Sequence, residues 1–336
     1  MTQMQLAAGT ACRPYQRGVS LIELMVALII GAVLIYGAGK VYLNSRQTYD
    51  VSESAARLQE TARYALSIIE ADVRMSNYWG LLKGASVIAD QAATTAASAG
   101  GPDTCGVNYA RDLLINLEGS NNSYGLSCTA YGAGAVGSSD TLTVRRASTT
   151  NTTPTTGTLQ ICSTRMQGRL FSDGSTCTAA PAGQVNNLIV NAYYVDRDSV
   201  QQAGIPALRR WSLVATPSFD SQEIIPGVED MQIQFGVDTS GNSGVASRYM
   251  NPDTIPVGTQ IVSVRVWLLI RAETREVGFS DTRTYEYGDR VSAANGGCDV
   301  DDLNASGAGT CAYAPDDGFR RMLVSRTIQI RNALGT

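Results

Sequence analysis

Residues 19–39, VSLIELMVALIIGAVLIYGAG, constrain this chain more than any other stretch: an apolar run of 21 residues whose strongly polar members are Ser20 and Glu23. As a helix, a run of that length crosses a hydrocarbon layer ~30 Å thick. Residues 1–18 ahead of it carry Arg13 and Arg17 and no acid. An ordinary secretory signal is cut behind its apolar region, at small residues, whereas here the candidate cut, Arg17-Gly18-Val19, lies in front. Cleavage there removes the basic leader and keeps the hydrophobic helix.

Glu23 then needs a reason, because a carboxylate at the centre of a membrane helix costs about 2.5–3.5 kcal/mol, and less near the interface. On one reading it sits in the first helical turn, favoured by the helix dipole and wetted at the headgroups. On the other, cleavage leaves a charged α-amine on Val19, four residues away, and Glu23 pairs with such an amine within or between subunits, locking the register of packed helices. The residues alone leave both readings open.

Histidine is absent, which excludes Ser-His-Asp and Cys-His catalysis, imidazole zinc sites and the usual neutral-pH proton shuttle. No G-x-S-x-G, S-x-x-K or Gly-rich loop followed by Lys and Ser/Thr occurs, so an enzyme is not expected. The net charge of −4 becomes −6 without the leader, 24 bases against 30 acids. No concentrated basic face marks a nucleic-acid surface. The bases are nearly all Arg, with Lys at positions 40 and 83. Of seven cysteines, Cys12 leaves with the leader, and Cys105, Cys128, Cys162, Cys177, Cys298 and Cys311 remain, an even set suited to disulfides in an oxidising compartment. Six cysteines allow 15 pairings; nearest neighbours are the expectation, because short loops close most readily.

Behind the apolar run, Val51, Ala55, Leu58, Ala62, Ala65, Ile69 and Val73 recur at steps of three or four, with Glu53, Arg57, Glu60, Arg63, Glu70 and Arg74 largely elsewhere. That is an amphipathic helix over 40–80 continuing the hydrophobic one over 19–39, its apolar stripe packing on a globular head over 81–336. Residues 84–186 are rich in Ala, Gly, Ser, Thr and Asn and read as loops around short strands at 140–146 and 158–163. Over 187–332, strands are expected at 187–196, 208–216, 231–238, 260–273, 282–287 and 319–332. The fold class is therefore α+β: a long N-terminal α-helix packed on an antiparallel β-sheet head with long disulfide-tied loops. Asp299, Asp301, Asp302 and Asn304, between Cys298 and Cys311, place oxygen ligands near the spacing Ca²⁺ prefers, but the EF-hand order is missing. A solvated acidic loop is the expectation and Ca²⁺ the alternative; no other cofactor is expected.

Gly18 followed by Val19-Ser20-Leu21-Ile22-Glu23-Leu24 resembles the prepilin-peptidase site of type IV pilins and type II secretion pseudopilins. The resemblance implies a type IV pilin-like fold, cleavage between Gly18 and Val19, N-methylation of Val19, and docking of each subunit into a filament through Glu23. Val19 stands where the family commonly has Phe. ARYALSIIEADVRMSNYWG (62–80), EIIPGVEDMQIQFGVD (223–238) and RRMLVSRTIQIRN (320–332) are similar to the minor pilins called PilW. What this implies is a structural minor pilin in a priming or tip complex, serving pilus assembly, twitching motility and adhesion. The implied partners are other minor and major pilins, prepilin peptidase and the inner-membrane assembly platform. Its implied place is the bacterial inner membrane, head in the periplasm, and afterwards the extracellular pilus. A secretion pseudopilin and a tip adhesin with a ligand-binding head are the alternatives.

Overall fold

The computed structural model describes residues 18–91, 107–177, 183–215, 218–240, 243–256 and 258–333. Helix α1 runs Leu21–Arg74 and is followed by β1 (Ile88–Ala89), α2 (Val107–Arg111), β2 (Leu117–Ser120), β3 (Thr141–Asn151), β4 (Thr156–Ser163) and β5 (Gly168–Asp173). Next come β6 (Gln184–Asp196), β7 (Ala207–Val214), β8 (Ser218–Pro226), β9 (Val228–Asp238), β10 (Arg248–Met250), β11 (Gln260–Arg271), β12 (Asp299–Val300), β13 (Ala312–Tyr313) and β14 (Arg321–Gln329). The chain divides into two compact units, Met1–Glu53 and Ser54–Thr336.

In the first unit, the side chains of residues 21–30 and 32–50 are all exposed, and the apolar ones are bare: Leu21 at 79%, Ile35 at 76% and Val41 at 69%. Among the described residues, α1 is the one helix long and apolar enough to cross a membrane.

The second unit begins with the amphipathic part of α1. Leu58, Ala62, Ala65, Leu66, Ile69 and Val73 are buried, as the three-and-four spacing requires. They share one core with Met231, Ile233 and Phe235 of β9, Val264, Val266 and Leu268 of β11, and Ile328 of β14. These strands form an antiparallel sheet in the order β10-β9-β11-β14, with Val264 opposite Phe235 and Ile328. Alternation along β11 sends Val262, Val264, Val266 and Leu268 to the core and turns Arg265 and Trp267 to the other face.

A second sheet of eight strands is organised by β6. One edge of β6 pairs with β3; the other pairs with β4 through its first half and with β7 through its second. The order is β1-β5-β4-β6-β3-β2, with β8 attached to β7. Its own apolar cluster holds Trp79, Leu113, Ile161, Leu170, Leu188 and Val190. The Trp79 turn leaves α1 through Gly80, whose φ of +73° is open to glycine, and a Cβ there would collide with the Ser163 and Asn186 side chains.

One expectation requires correction, and β8 forms where no strand was expected. No strand forms over 282–287: Tyr285 and Tyr287 make isolated bridges to Tyr313 and Arg290, and their hydroxyls donate to Asp281 (2.7 Å) and Asp230 (2.5 Å). Side-chain bonds to buried carboxylates, in place of a ladder, hold that segment. Conversely β8 is a full nine-residue strand. Its polar sequence gives little alternation, and it is drawn into the sheet by its backbone ladder with β7.

Candidate functional site

The candidate site is the N-terminus of α1. Gly18, Val19 and Ser20 precede the helix and are exposed, and nothing lies within 4 Å of where a Gly18 Cβ would stand. The Gly18–Val19 bond is thus in non-helical, open backbone. Ser20 caps the helix: its carbonyl accepts the Leu24 N–H (3.1 Å) and its Oγ accepts the Glu23 N–H (3.2 Å). The pattern Ser20-x-x-Glu23 is that of a capping box, a signal visible in the order of the residues alone. Glu23 stands in the first turn, where the helix dipole favours a negative charge, and its side chain is exposed.

The cysteines fall elsewhere. Cys162 is bonded to Cys177 and Cys298 to Cys311. Cys128 is disulfide-bonded as well, and the pairing expected of it with Cys105 lies outside the described residues. Arg13 and Arg17 lie outside them too. In the acidic loop, Asp299 Oδ1 accepts the Ala293 N–H (3.4 Å) and Asp302 Oδ1 accepts both the backbone and side-chain N–H of Asn304 (2.8 and 3.1 Å). Asn304 Oδ1 accepts the Gly137 N–H (3.2 Å). Among the described residues, no three His, Cys, Asp or Glu side chains converge as metal ligands do.

The densest polar chemistry lies inside the second unit. Asp72, the one buried acid of α1, receives Arg146 (2.7 Å), Asn191 (2.5 Å) and Tyr193 (2.5 Å), joining the helix to β3 and β6. Burial and the neighbouring Asp72 carboxylate push the Tyr193 hydroxyl far above its ordinary range. Arg290 donates to Asp230 (2.8 Å), the Ala308 carbonyl (2.9 Å) and the Ser138 carbonyl (2.7 Å). Arg321 donates to Glu229 and Asp317, and burial of Asp317 is outweighed by Arg321, which holds that carboxyl below its ordinary value. These groups tie the 281–317 region to β9 and β14. The arginines find all these partners inside the unit, so their arrangement is that of a structural core.

Comparison with known proteins bears on both ends of the chain. Residues 13–38 match the family described as the prokaryotic N-terminal methylation motif, and residues 192–332 match the family described as type IV pilus-assembly protein W, PilW. No curated protein matches. Among solved structures, the type IV-like pilin TTHA1219 from Thermus thermophilus is 14% identical over 58% of this chain and 79% of its own, with a TM-score of 0.26, too loose a superposition to carry an argument. The chain is thus similar to prepilin-type N-termini over residues 13–38 and to PilW pilus-assembly proteins over its last strands.

Proposed function

We propose that the protein is a structural minor pilin without turnover of its own, assembled with other minor and major pilins into a priming or tip complex of a type IV pilus. Prepilin peptidase cuts between Gly18 and Val19, the new Val19 amine is methylated, and the second unit waits in the periplasm until the inner-membrane platform extracts the helix. The observation that carries this reading is a methylation motif that runs into a bare apolar helix whose first turn presents Glu23. In assembly, exposed side chains such as Leu21, Ile22, Leu28 and Ile35 exchange lipid for neighbouring helices. Glu23 meets the terminal amine of a neighbour, and pairing the two charges removes the penalty that each would carry alone in hydrocarbon. The finished pilus then serves twitching motility and adhesion.

Intact-mass measurement on protein recovered from membranes of a pilus-forming cell tests the processing step. The expected mass lacks residues 1–18 and carries one added methyl. Glu23→Ala is expected to be processed yet missing from sheared filaments. A leader that stays attached in cells with active peptidase would overturn the proposal.

A further inference from the structure

Strand β14 is the outer strand of its sheet, paired with β11 from Arg321 to Gln329 without a register shift. The bonds at its two ends fix which backbone groups face β11. The Ala272 N–H donates to the Arg320 carbonyl (2.8 Å), and the Ile330 N–H to the Val262 carbonyl (3.0 Å). Bonding to β11 therefore belongs to the even-numbered residues, and the N–H and C=O groups of Leu323, Ser325, Thr327 and Gln329 point away from the sheet. At either end the outward groups are taken: the Arg321 carbonyl accepts from Arg283 (3.1 Å), and the Arg331 N–H donates to the Arg74 carbonyl (3.1 Å). Among the described residues, nothing bonds the outward groups of the four residues between, of which Ser325, Thr327 and Gln329 are exposed.

An open edge is a template for another strand, and folded chains blunt it with prolines, bulges, charges or very short strands. Strand β14 has nine residues, no proline and no bulge. Of its two charges Arg321 is buried at the start, which leaves Arg326 on the exposed stretch.

Charge says which strand fits. Arg74, Arg265, Arg326 and Arg331 lie along this edge, and the one carboxylate that pairs with any of them is Glu70, shared by Arg74 (2.8 Å) and Arg326. Arg265 of β11 reaches β14 at Thr327 Oγ1 (3.4 Å), beside the Tyr249 and Trp267 rings. Four bases against one acid leave positive charge in excess beside the open ladder. A second copy of β14 would bring the same arginines and set like charges against one another.

We infer that β14 takes up a further strand, extended and acidic, from a different subunit; naming the donor a subunit rests on the assembly reading above. The backbone of that strand satisfies Leu323, Ser325, Thr327 and Gln329, while its carboxylates meet Arg265, Arg326 and Arg331.

Fluorescence anisotropy on the full chain in non-ionic detergent micelles tests this, with a labelled nine-residue peptide in which glutamates alternate with valines and threonines as the probe. The peptide is expected to bind, and its counterpart with lysines for the glutamates to bind about tenfold more weakly or worse. Ser325→Pro deletes one outward N–H and no bond to β11, so it is expected to keep the wild-type urea transition and lose the peptide. Should that variant not fold, Arg265→Gln combined with Arg331→Gln leaves the backbone intact and is expected to weaken the acidic peptide about fivefold. No binding of the acidic peptide, equal binding of the two peptides, or unchanged binding in a folded Ser325→Pro or in the double variant overturns the inference. A dimer of the chain in sedimentation that Ser325→Pro dissolves overturns it too, since a second copy would then fill the edge. None of these outcomes involves the leader, so failure here is distinct from failure of the processing test.

Discussion

At the scale of single residues, the near-exclusive use of Arg for positive charge has a physical account. Arg145, Arg209, Arg290 and Arg321 are each no more than 2% exposed, and all four make multiple directed bonds. A guanidinium stays charged when buried and offers five donors in a fixed plane, where a lysine would offer a compact charge that loses its proton. Arg290 shows the demand: Asp230, Ser138, Ala308 and Cys311 all accept from it, and neither Arg290 nor Asp230 is exposed. Arg290→Met strands Asp230 as a buried, unpaired charge and is expected to cost about 3–5 kcal/mol in urea unfolding. Arg290→Lys, unable to span the same acceptors, is expected to recover only a small part of that. None of these pairs was legible in the sequence, since Arg290 and Ser138 lie 152 positions apart. By contrast the methylation motif matched over 13–38 was legible at once, because such a motif lies in local order along the chain.

At the scale of elements, helix α1 is one continuous helix with two kinds of surface. Its amphipathic part was readable, because burial on one side imposes a 3.6-residue period that Leu58, Ala62, Ala65, Ile69 and Val73 obey. What periodicity could not show is that Asp72 shares the buried side, where Arg146, Asn191 and Tyr193 satisfy it. Ile69→Ala removes a fully buried side chain from the core and is expected to cost about 2–5 kcal/mol in urea unfolding of the full chain in detergent. Leu34→Ala, on a side chain 66% exposed, is expected to leave the same transition unchanged. A loss as large as that of Ile69→Ala would show that the apolar part of the helix is buried after all. The strands β3, β4, β6, β7, β9, β11 and β14 lie where alternation and β-branched residues placed them, with ends displaced by a few residues. Strand β8 and the 282–287 segment went the other way, since one is recruited by its neighbour's ladder and the other is diverted by tyrosine hydroxyls seeking carboxylates.

At the scale of the whole molecule, β6 is the element on which the 54–336 unit depends. The PilW match begins at residue 192, inside β6, yet that strand's ladder partners include β3 and β4 from the Ser/Thr/Asn-rich middle. Leu142 and Val144 of β3 also complete the core that Ile69 and Phe235 occupy. Excising 141–173 is therefore expected to abolish cooperative unfolding in urea, where an accessory insertion would leave the transition intact. The sequence by itself determined the methylation motif, the apolar helix with its acid, the amphipathic stripe and most of the strands, because each follows from the order and periodicity of neighbours along the chain. Only the tertiary structure decided that the loop-like middle builds half of the larger sheet and that β6 divides one edge between β4 and β7. The physical reason is that ladder partners and charge partners are chosen by burial between segments far apart in the chain, where no local pattern records which donor a buried acceptor will meet.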